Sequence, residues 1–532
     1  MTSFNLADLF EITADTIPDR RAVTAGAATR TYAELDERAS RFGQHLLAAG
    51  IVTGEHIAAL AWNRIEWLEA MLGAFKARVV PINLNYRYTA DELAHVLDDG
   101  DVVAVVVERS FVATLALVRG RLPRLRHVIV LDDGTLDDGV SEMIDFEQAL
   151  GAAASDRSFG ARSGDDRYIL YTGGTTGAPK GVVWRGEDLF FAALAGGNPG
   201  GPPIGTPDEL AERVVRAPEP WLVTSPLMHG NGQWNSFVPL LTGRGVVLWT
   251  GRRFDAAAVA ALAVEHEVHL LVLVGDGMAL PMVEELSARP DPAAGFDSLR
   301  MITSGGAPLS PRLKARLGEL LPRVTVVDGF GASETGSSGR MVGSGADGTS
   351  PRFTVGDDTA VLDDDLRPVS GGGVGRLARS GHIPLGYWND EAKTAATFPV
   401  DPDGKRWAVP GDMARLEDDG TVTLIGRGST SINTGGEKVH PEEVSAAIKL
   451  HPRVADAIVV GIPDERFGQR VAAVVSTRDG GDIQLAEIRA HLEPLLAGYK
   501  APRHLVVVGE LQYTPQAKPD LRWAATIANP PS

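Results

Sequence analysis

Four glycines, three threonines and a lysine fall within eleven residues of this chain, in YTGGTTGAPKG from Tyr171 to Gly181. Glycine lets backbone N–H groups close around phosphate oxygens with no side chain in the way. Thr172, Thr175 and Thr176 add hydroxyl donors, and Lys180 adds a point charge. The chemistry this set can do is to hold a nucleoside triphosphate through Gly173, Gly174 and their neighbours. It is not a P-loop of the usual kind: Pro179 precedes the lysine where glycine belongs, and Gly181 follows it where Ser or Thr is needed.

Three further groups carry chemistry. Ser304-Gly-Gly-Ala-Pro-Leu-Ser310 and Asp328-Gly-Phe-Gly-Ala-Ser-Glu334 each follow a β-rich run, so both are expected as loops at strand ends, where open α/β sheets bind ligands. Glu334 is the candidate magnesium ligand, because Mg²⁺ takes few protein carboxylates and shares its other positions with phosphate and water. His229 ends the run Trp221–Gly230, which reads as a strand and turn delivering it to a cleft. His266 and His269 lack the spacing of a metal pair and read as surface positions.

Two motif matches are rejected. Gly343-Ser-Gly-Ala-Asp-Gly348 has the dinucleotide-binding spacing, but Thr349-Ser-Pro351 follows and no helix can open there. Gly331-Ala-Ser333-Glu-Thr335 resembles a nucleophile elbow without its closing glycine.

These residues need a scaffold. The 532-residue chain is too long for one ordinary core, so at least two domains are expected. Thr31-Tyr-Ala-Glu34 and Thr89-Ala-Asp-Glu92 read as capping boxes that open helices. Apolar runs at His56–Trp62, Val79–Asn83, Val102–Val107 and His127–Leu131 read as buried strands. Their alternation with helices predicts an α/β fold, a large N-terminal domain of mainly parallel sheets flanked by helices. The Gly- and Pro-rich stretch Gly196–Pro220 is expected as a long mobile loop near the site. From about Gly375 the pattern changes to hairpins. Gly426-Arg427-Gly428 reads as a swivel, followed by a small α+β unit with a helix at Pro441–Leu450, strands at Val454–Val460 and Val471–Val475, and a helix at Leu485–Leu496. The expected domains are residues 1–426 and a mobile unit, 427–532.

Composition narrows the class. The net charge of −18 argues against a nucleic-acid partner. With no cysteine, the chain has neither disulfides nor thiolate zinc sites. The N-terminus carries acids where a signal peptide needs basic residues, and no stretch reaches the roughly 20 apolar residues of a membrane helix, so a cytoplasmic protein is expected.

Taken in order, YTGGTTGAPKG, SGGAP, GFGASE, Gly411-Asp412 with Gly426-Arg427, and a C-terminal lysine at Lys518 resemble the adenylate-forming (ANL) superfamily of acyl-CoA synthetases. The run GRGSTSINTGGEKVHPEEV is most similar to actinobacterial ligases of fatty acids and steroid side-chain acids. The resemblance implies ATP, Mg²⁺ and coenzyme A, with a small-molecule carboxylic acid as substrate. It implies that Thr172 to Lys180 hold the ATP phosphates, that Gly305, Gly306 and Ala307 wall the adenine and acyl chain, and that Phe330 lies beside the base. Asp328, Gly329 and Gly331 belong to the same nucleotide segment. Ser333 and Glu334 would contact phosphate and magnesium, Asp412 the ribose with Arg427 nearby, and His229 would gate the acyl pocket. Lys518 would bridge the carboxylate and α-phosphate, with Thr176, His229 and Glu334 completing the catalytic set. Gly435, Gly436 and Glu437 would come forward for the thiol. Ser429 at the hinge, Ala517 before the lysine and Arg376 after Gly375 depart from the family pattern. The alternatives are an adenylating enzyme that loads a carrier protein, which would place an acid where Asn231-Gly-Gln-Trp234 stands, and a non-catalytic nucleotide sensor. Monomer and homodimer both stay open, as does transient membrane contact.

Overall fold

The structure, a computed structural model, describes residues 3–135, 143–172, 178–215, 219–307, 309–342, 352–427, 432–434, 437–464, 468–496, 498–514 and 518–529. Both capping boxes form. The Thr31 hydroxyl accepts from the Glu34 N–H at 3.2 Å while Glu34 accepts from the Thr31 N–H at 2.8 Å, opening the helix Tyr32–Ala48. Thr89 and Glu92 do the same for Ala90–Asp99. Each box satisfies two backbone donors that the first turn leaves without partners.

Among the described residues the strands form three sheets, of thirteen, eight and five strands. The eight-stranded sheet has a parallel centre, Arg167–Thr172 beside Val80–Asn83, His56–Leu60, Val102–Glu108 and His127–Leu131. The strands His56–Leu60 and Val102–Glu108 are buried along their whole length, as helices on both faces require. The thirteen-stranded sheet is parallel from Arg21–Ala25 through Val246–Leu248, Trp221–Val223, Leu270–Leu273 and Met301–Ser304 to Thr325–Ala332. Beyond that strand it continues as antiparallel hairpins. Helices Leu6–Thr16, Tyr32–Ala48, Ile65–Lys76 and Gly230–Leu241 bury Phe10, Phe42, Trp67 and Phe237 in the largest core, shared by the two sheets.

The five-stranded sheet draws on residues 432–508 alone and has its own apolar core around Val444, Ile448, Val459 and Val475. Its long hairpin pairs Val454–Asp464 with Gly468–Thr477, and helix Pro441–Lys449 packs on it.

Two expectations are corrected. The stretch Gly196–Pro220 is not simply a loop at the site. It contains the helix Glu209–Val214, whose Leu210 and Val214 sit at i,i+4 and are buried, and none of its described residues lines the main cavity. Asp328–Ala332 is strand, not loop. Thr325–Ala332 runs on through Gly329 and Gly331 because it pairs antiparallel with Gly336–Val342. A Cβ at Gly331 would meet the Gly336 carbonyl oxygen at 2.1 Å, so the close pairing itself demands glycine.

Candidate active site

One cavity of ≈ 1010 Å³ lies where the ends of strands from both large sheets meet the C-terminal unit. Thr172, His229, Gly305, Gly306, Gly329, Phe330, Gly331, Ser333, Glu334 and Lys518 all line it. Residues hundreds of positions apart in sequence are thus brought to one surface.

Long side chains hold the strand ends in register. Asn83, buried at the end of Val80–Asn83, donates to the carbonyls of Tyr171 at 2.9 Å and Met228 at 2.7 Å, and accepts from the Tyr171 N–H at 2.7 Å. It ties the start of the glycine-rich segment to the residue before His229. Tyr168 donates to Gln233 at 2.6 Å and fastens the helix Gly230–Leu241 to the same strand. Gly232 packs so tightly that a Cβ would lie 2.1 Å from the Pro226 oxygen. Asn231-Gly-Gln-Trp234 therefore forms a first helical turn with no acid in it.

His229 stands at the N-terminal boundary of that helix, not at the end of the preceding strand, which stops at Val223. Burial, and then the charges of Lys518 and Arg87, push its imidazole down to about 4 from 6.5. The ring is neutral at pH 7. The unfolded chain takes up the proton first, so the stability linked to His229 is complete above about pH 6.5 and lost as pH falls toward 4. Urea midpoints measured between pH 4 and 7 should rise with pH. His229→Phe should flatten that rise, and a profile unchanged by the substitution would refute the buried neutral ring.

Glu334 lies in the turn between Thr325–Ala332 and Gly336–Val342 and accepts at Oε1 from the Tyr387 hydroxyl at 2.7 Å. Tyr387 is delivered by the short edge strand Gly386–Tyr387, paired antiparallel with Lys180–Arg185. Arg379 holds the same turn from beneath: its Nη1 donates to the carbonyls of Ala192, Thr335 and Ser337 at 3.1, 2.6 and 2.7 Å, and its Nε donates to Asp358 at 2.9 Å. Trp184 donates to the Ser333 carbonyl at 3.0 Å. Neither Arg379 nor Tyr387 belongs to a motif singled out in the sequence.

Other candidates sit outside the lining. Lys180 is paired with Asp390, its ammonium 5.9 Å from the centre of the Tyr387 ring. Asp328, on the strand Thr325–Ala332, is buried, and burial raises its carboxyl above the ordinary range while burial lowers nearby Lys314. Asp412 and Arg427 are register partners across the hairpin Asp412–Leu416 and Val422–Arg427. Ala307 follows the two lining glycines. Glu437 opens the strand Glu437–Val439. Gly173, Gly174, Thr175, Thr176, Gly428, Ser429, Gly435, Gly436, Ala517 and the rejected Gly343–Gly348 match lie outside the described residues. Arg376 donates to the Asp363 and Asp364 carbonyls at 3.0 and 3.2 Å, a turn-holding role away from the cavity.

The AMP-binding enzyme family model matches residues 10–388, and the model of the AMP-binding enzyme C-terminal domain matches 443–518, ending on Lys518. The chain belongs to the AMP-binding enzyme family. A 3-oxocholest-4-en-26-oate–CoA ligase from Rhodococcus rhodochrous is 42% identical to this AMP-binding enzyme over 98% of the chain and 95% of the relative. A medium/long-chain-fatty-acid and 3-oxocholest-4-en-26-oate–CoA ligase from Mycolicibacterium smegmatis is 43% identical over 99% and 96%. In fold, the enzyme is similar to the anthranilate CoA ligase AuaEII in complex with anthranoyl-AMP, with a TM-score of 0.83 at 23% identity over 99% and 98% of the two chains. ATP-bound MatB from Rhodopseudomonas palustris gives 0.82 at 24% identity over 98% of each.

Proposed function

We propose that this enzyme is an ATP-dependent acyl-CoA ligase that joins a large apolar carboxylic acid, a medium-to-long fatty acid or a steroid side-chain acid, to coenzyme A. The observation that carries this is the shared cavity. It joins Thr172 and the segment Phe330–Glu334 to Lys518 of the C-terminal unit, and its lining includes the apolar side chains of Trp234, Val238, Val272, Met278 and Leu280. Two relatives above 40% identity that act on such acids support the same reading.

In the first half-reaction the acid's carboxylate attacks the α-phosphorus of ATP, giving an acyl-adenylate and pyrophosphate. Lys518 neutralises the charge that develops between carboxylate and α-phosphate, a preorganised electrostatic contribution. Thr172 and the glycine-rich segment after it hold the phosphates, Phe330 flanks the base, and Asp412 binds the ribose. In the second half-reaction the coenzyme A thiol attacks the acyl carbon and AMP leaves. The unit 427–532 turns about Arg427-Gly428 between the two, taking Lys518 out and bringing Gly435-Gly436-Glu437 in. One site can serve both chemistries because pyrophosphate leaves before the thiol enters. We place the enzyme in the cytoplasm, where ATP and coenzyme A are available. None of the described helices is long and apolar enough to cross a membrane.

The donor set fits magnesium. Among the described residues no group of three acids or histidines could hold a metal unaided, whereas Mg²⁺ needs only one or two carboxylates beside phosphate oxygens. Glu334, on the cavity wall, supplies that carboxylate, and the ion would add positive charge against the triphosphate. Glu334→Gln should raise the magnesium concentration needed for half-maximal adenylation several-fold. An unchanged magnesium titration would remove Glu334 from this role.

The substrate reading is tested by specificity constants for acetate, octanoate, palmitate, benzoate and a steroid side-chain acid. Each buried CH₂ contributes about 0.8 kcal/mol, so kcat/KM should climb from acetate over several carbons before levelling. Acetate or benzoate well ahead would overturn the substrate class. Acid-dependent pyrophosphate exchange with no net AMP release on adding coenzyme A would favour a carrier-loading enzyme, whose acceptor thiol is on the carrier.

A further inference from the structure

A chain of polar contacts runs from the cavity wall into the C-terminal unit and reaches Lys518. Asp276, in the first turn of the helix Gly275–Ala288, lines the cavity. Its Oδ1 accepts from the Ser310 N–H at 2.6 Å, which orients the carboxylate, and its Oδ2 lies 3.7 Å from Nζ of Lys449. Lys449 closes the helix Pro441–Lys449 of the C-terminal unit, and its ammonium is also 2.7 Å from Oδ1 of Asp456, on the strand Val454–Asp464. The other oxygen of Asp456 accepts from the Tyr513 hydroxyl. Tyr513 is bridged to Pro519, and the neighbouring Thr514 N–H donates to the Lys518 carbonyl at 2.6 Å. The Lys518 N–H returns to the Thr514 hydroxyl at 3.3 Å.

The side chains of Lys449, Asp276 and Asp456 keep only 16, 18 and 20% of their exposure, so water screens the trio weakly. One ammonium stands between two carboxylates that belong to different parts of the chain. Without it those carboxylates would face each other uncompensated, and removing one partner of a buried ion pair costs far more than the pair's net contribution. The contact is therefore poised: favourable while the C-terminal unit lies against the helix Gly275–Ala288, and repulsive if the lysine is lost.

We infer that Lys449 is a positioning residue for the adenylation half-reaction. By bridging Asp276 to Asp456 it seats the C-terminal unit so that Tyr513, Thr514 and Pro519 hold Lys518 at the cavity, and the bridge parts when the unit turns for the thiol. This rests on the role assigned to Lys518 above. Lys449 itself does not line the cavity, so it acts through placement and not by touching substrate.

The test uses the full-length enzyme and follows each half-reaction alone, acyl-adenylate formation from ATP and palmitate, and thioester formation from supplied palmitoyl-adenylate. Lys449→Met should slow the first about tenfold or more and leave the second within about twofold, while Lys449→Arg restores most of the first. Combining Lys449→Met with Lys518→Ala should add almost nothing to the loss from Lys518→Ala alone, since both act through one ammonium. Asp276→Asn, at the other end of the bridge, should also slow adenylation and serves if Lys449→Met does not fold. Equal losses in both half-reactions, failure of Lys449→Arg to rescue, fully additive effects or an unaffected Asp276→Asn would each overturn the inference. If Lys518→Ala itself adenylates normally, the assignment of Lys518 fails instead.

Discussion

Lys518→Ala should slow acyl-adenylate formation by roughly a hundredfold or more while thioester formation from supplied acyl-adenylate continues. Losing one preorganised charge at a site of developing negative charge costs about 3 kcal/mol in the transition state. Lys518 reaches the cavity from the C-terminal unit, and its charge is felt at His229 across the pocket. The loss should appear in kcat, with the KM for ATP little changed, because the lysine acts most where charge develops. Rapid-quench measurement of both half-reactions reads the split. Equal loss in both would mean that one arrangement of the C-terminal unit serves both steps.

Arg379→Met should be the most destabilising single change near the site. The Arg379 side chain is 8% exposed and serves three backbone carbonyls and the Asp358 carboxylate at once. Methionine keeps much of its length but leaves those carbonyls without their donor, and each buried acceptor left unsatisfied costs about 1–3 kcal/mol, whereas the Asp358 side chain, 39% exposed, is rehydrated. Two of the three carbonyls, Thr335 and Ser337, belong to the turn that carries Glu334. The variant should unfold at clearly lower urea, and where still folded it should show a raised KM for ATP. Arg379→Lys should recover the pair with Asp358 but not the three-carbonyl clasp. An unchanged urea midpoint would show that the clasp is not what holds the turn.

The contrast between these two residues marks what was legible in the sequence. Lys518, Glu334 and the glycines at 305, 306, 329 and 331 occur in ordered motifs, and all of them line one cavity. The capping boxes at Thr31 and Thr89 were readable because both partners lie within one helical turn. Arg379, Asn83 and Asp276 carry no comparable signal. Their partners are 44 positions away for Arg379 to Thr335, 88 for Asn83 to Tyr171 and 34 for Asp276 to Ser310. Such bonds depend on which strands become neighbours, and no periodicity records that. The misread stretch Gly196–Pro220 shows the opposite failure. Its glycines and prolines outweighed the single apolar pair Leu210 and Val214, four residues apart, which buries one face of the short helix Glu209–Val214. Gly331 misled in the same way, since glycine there meets the demand of close antiparallel pairing, not of a loop.

The central claim is that one cavity forms an acyl-adenylate from a large apolar acid before coenzyme A takes part. The most direct measurement is exchange of labelled pyrophosphate into ATP with no coenzyme A present. The account predicts exchange that requires palmitate or a steroid side-chain acid and disappears in Lys518→Ala, with net AMP release only when coenzyme A is added. Exchange absent with every acid, from an enzyme that still makes acyl-CoA when all substrates are supplied, would contradict it.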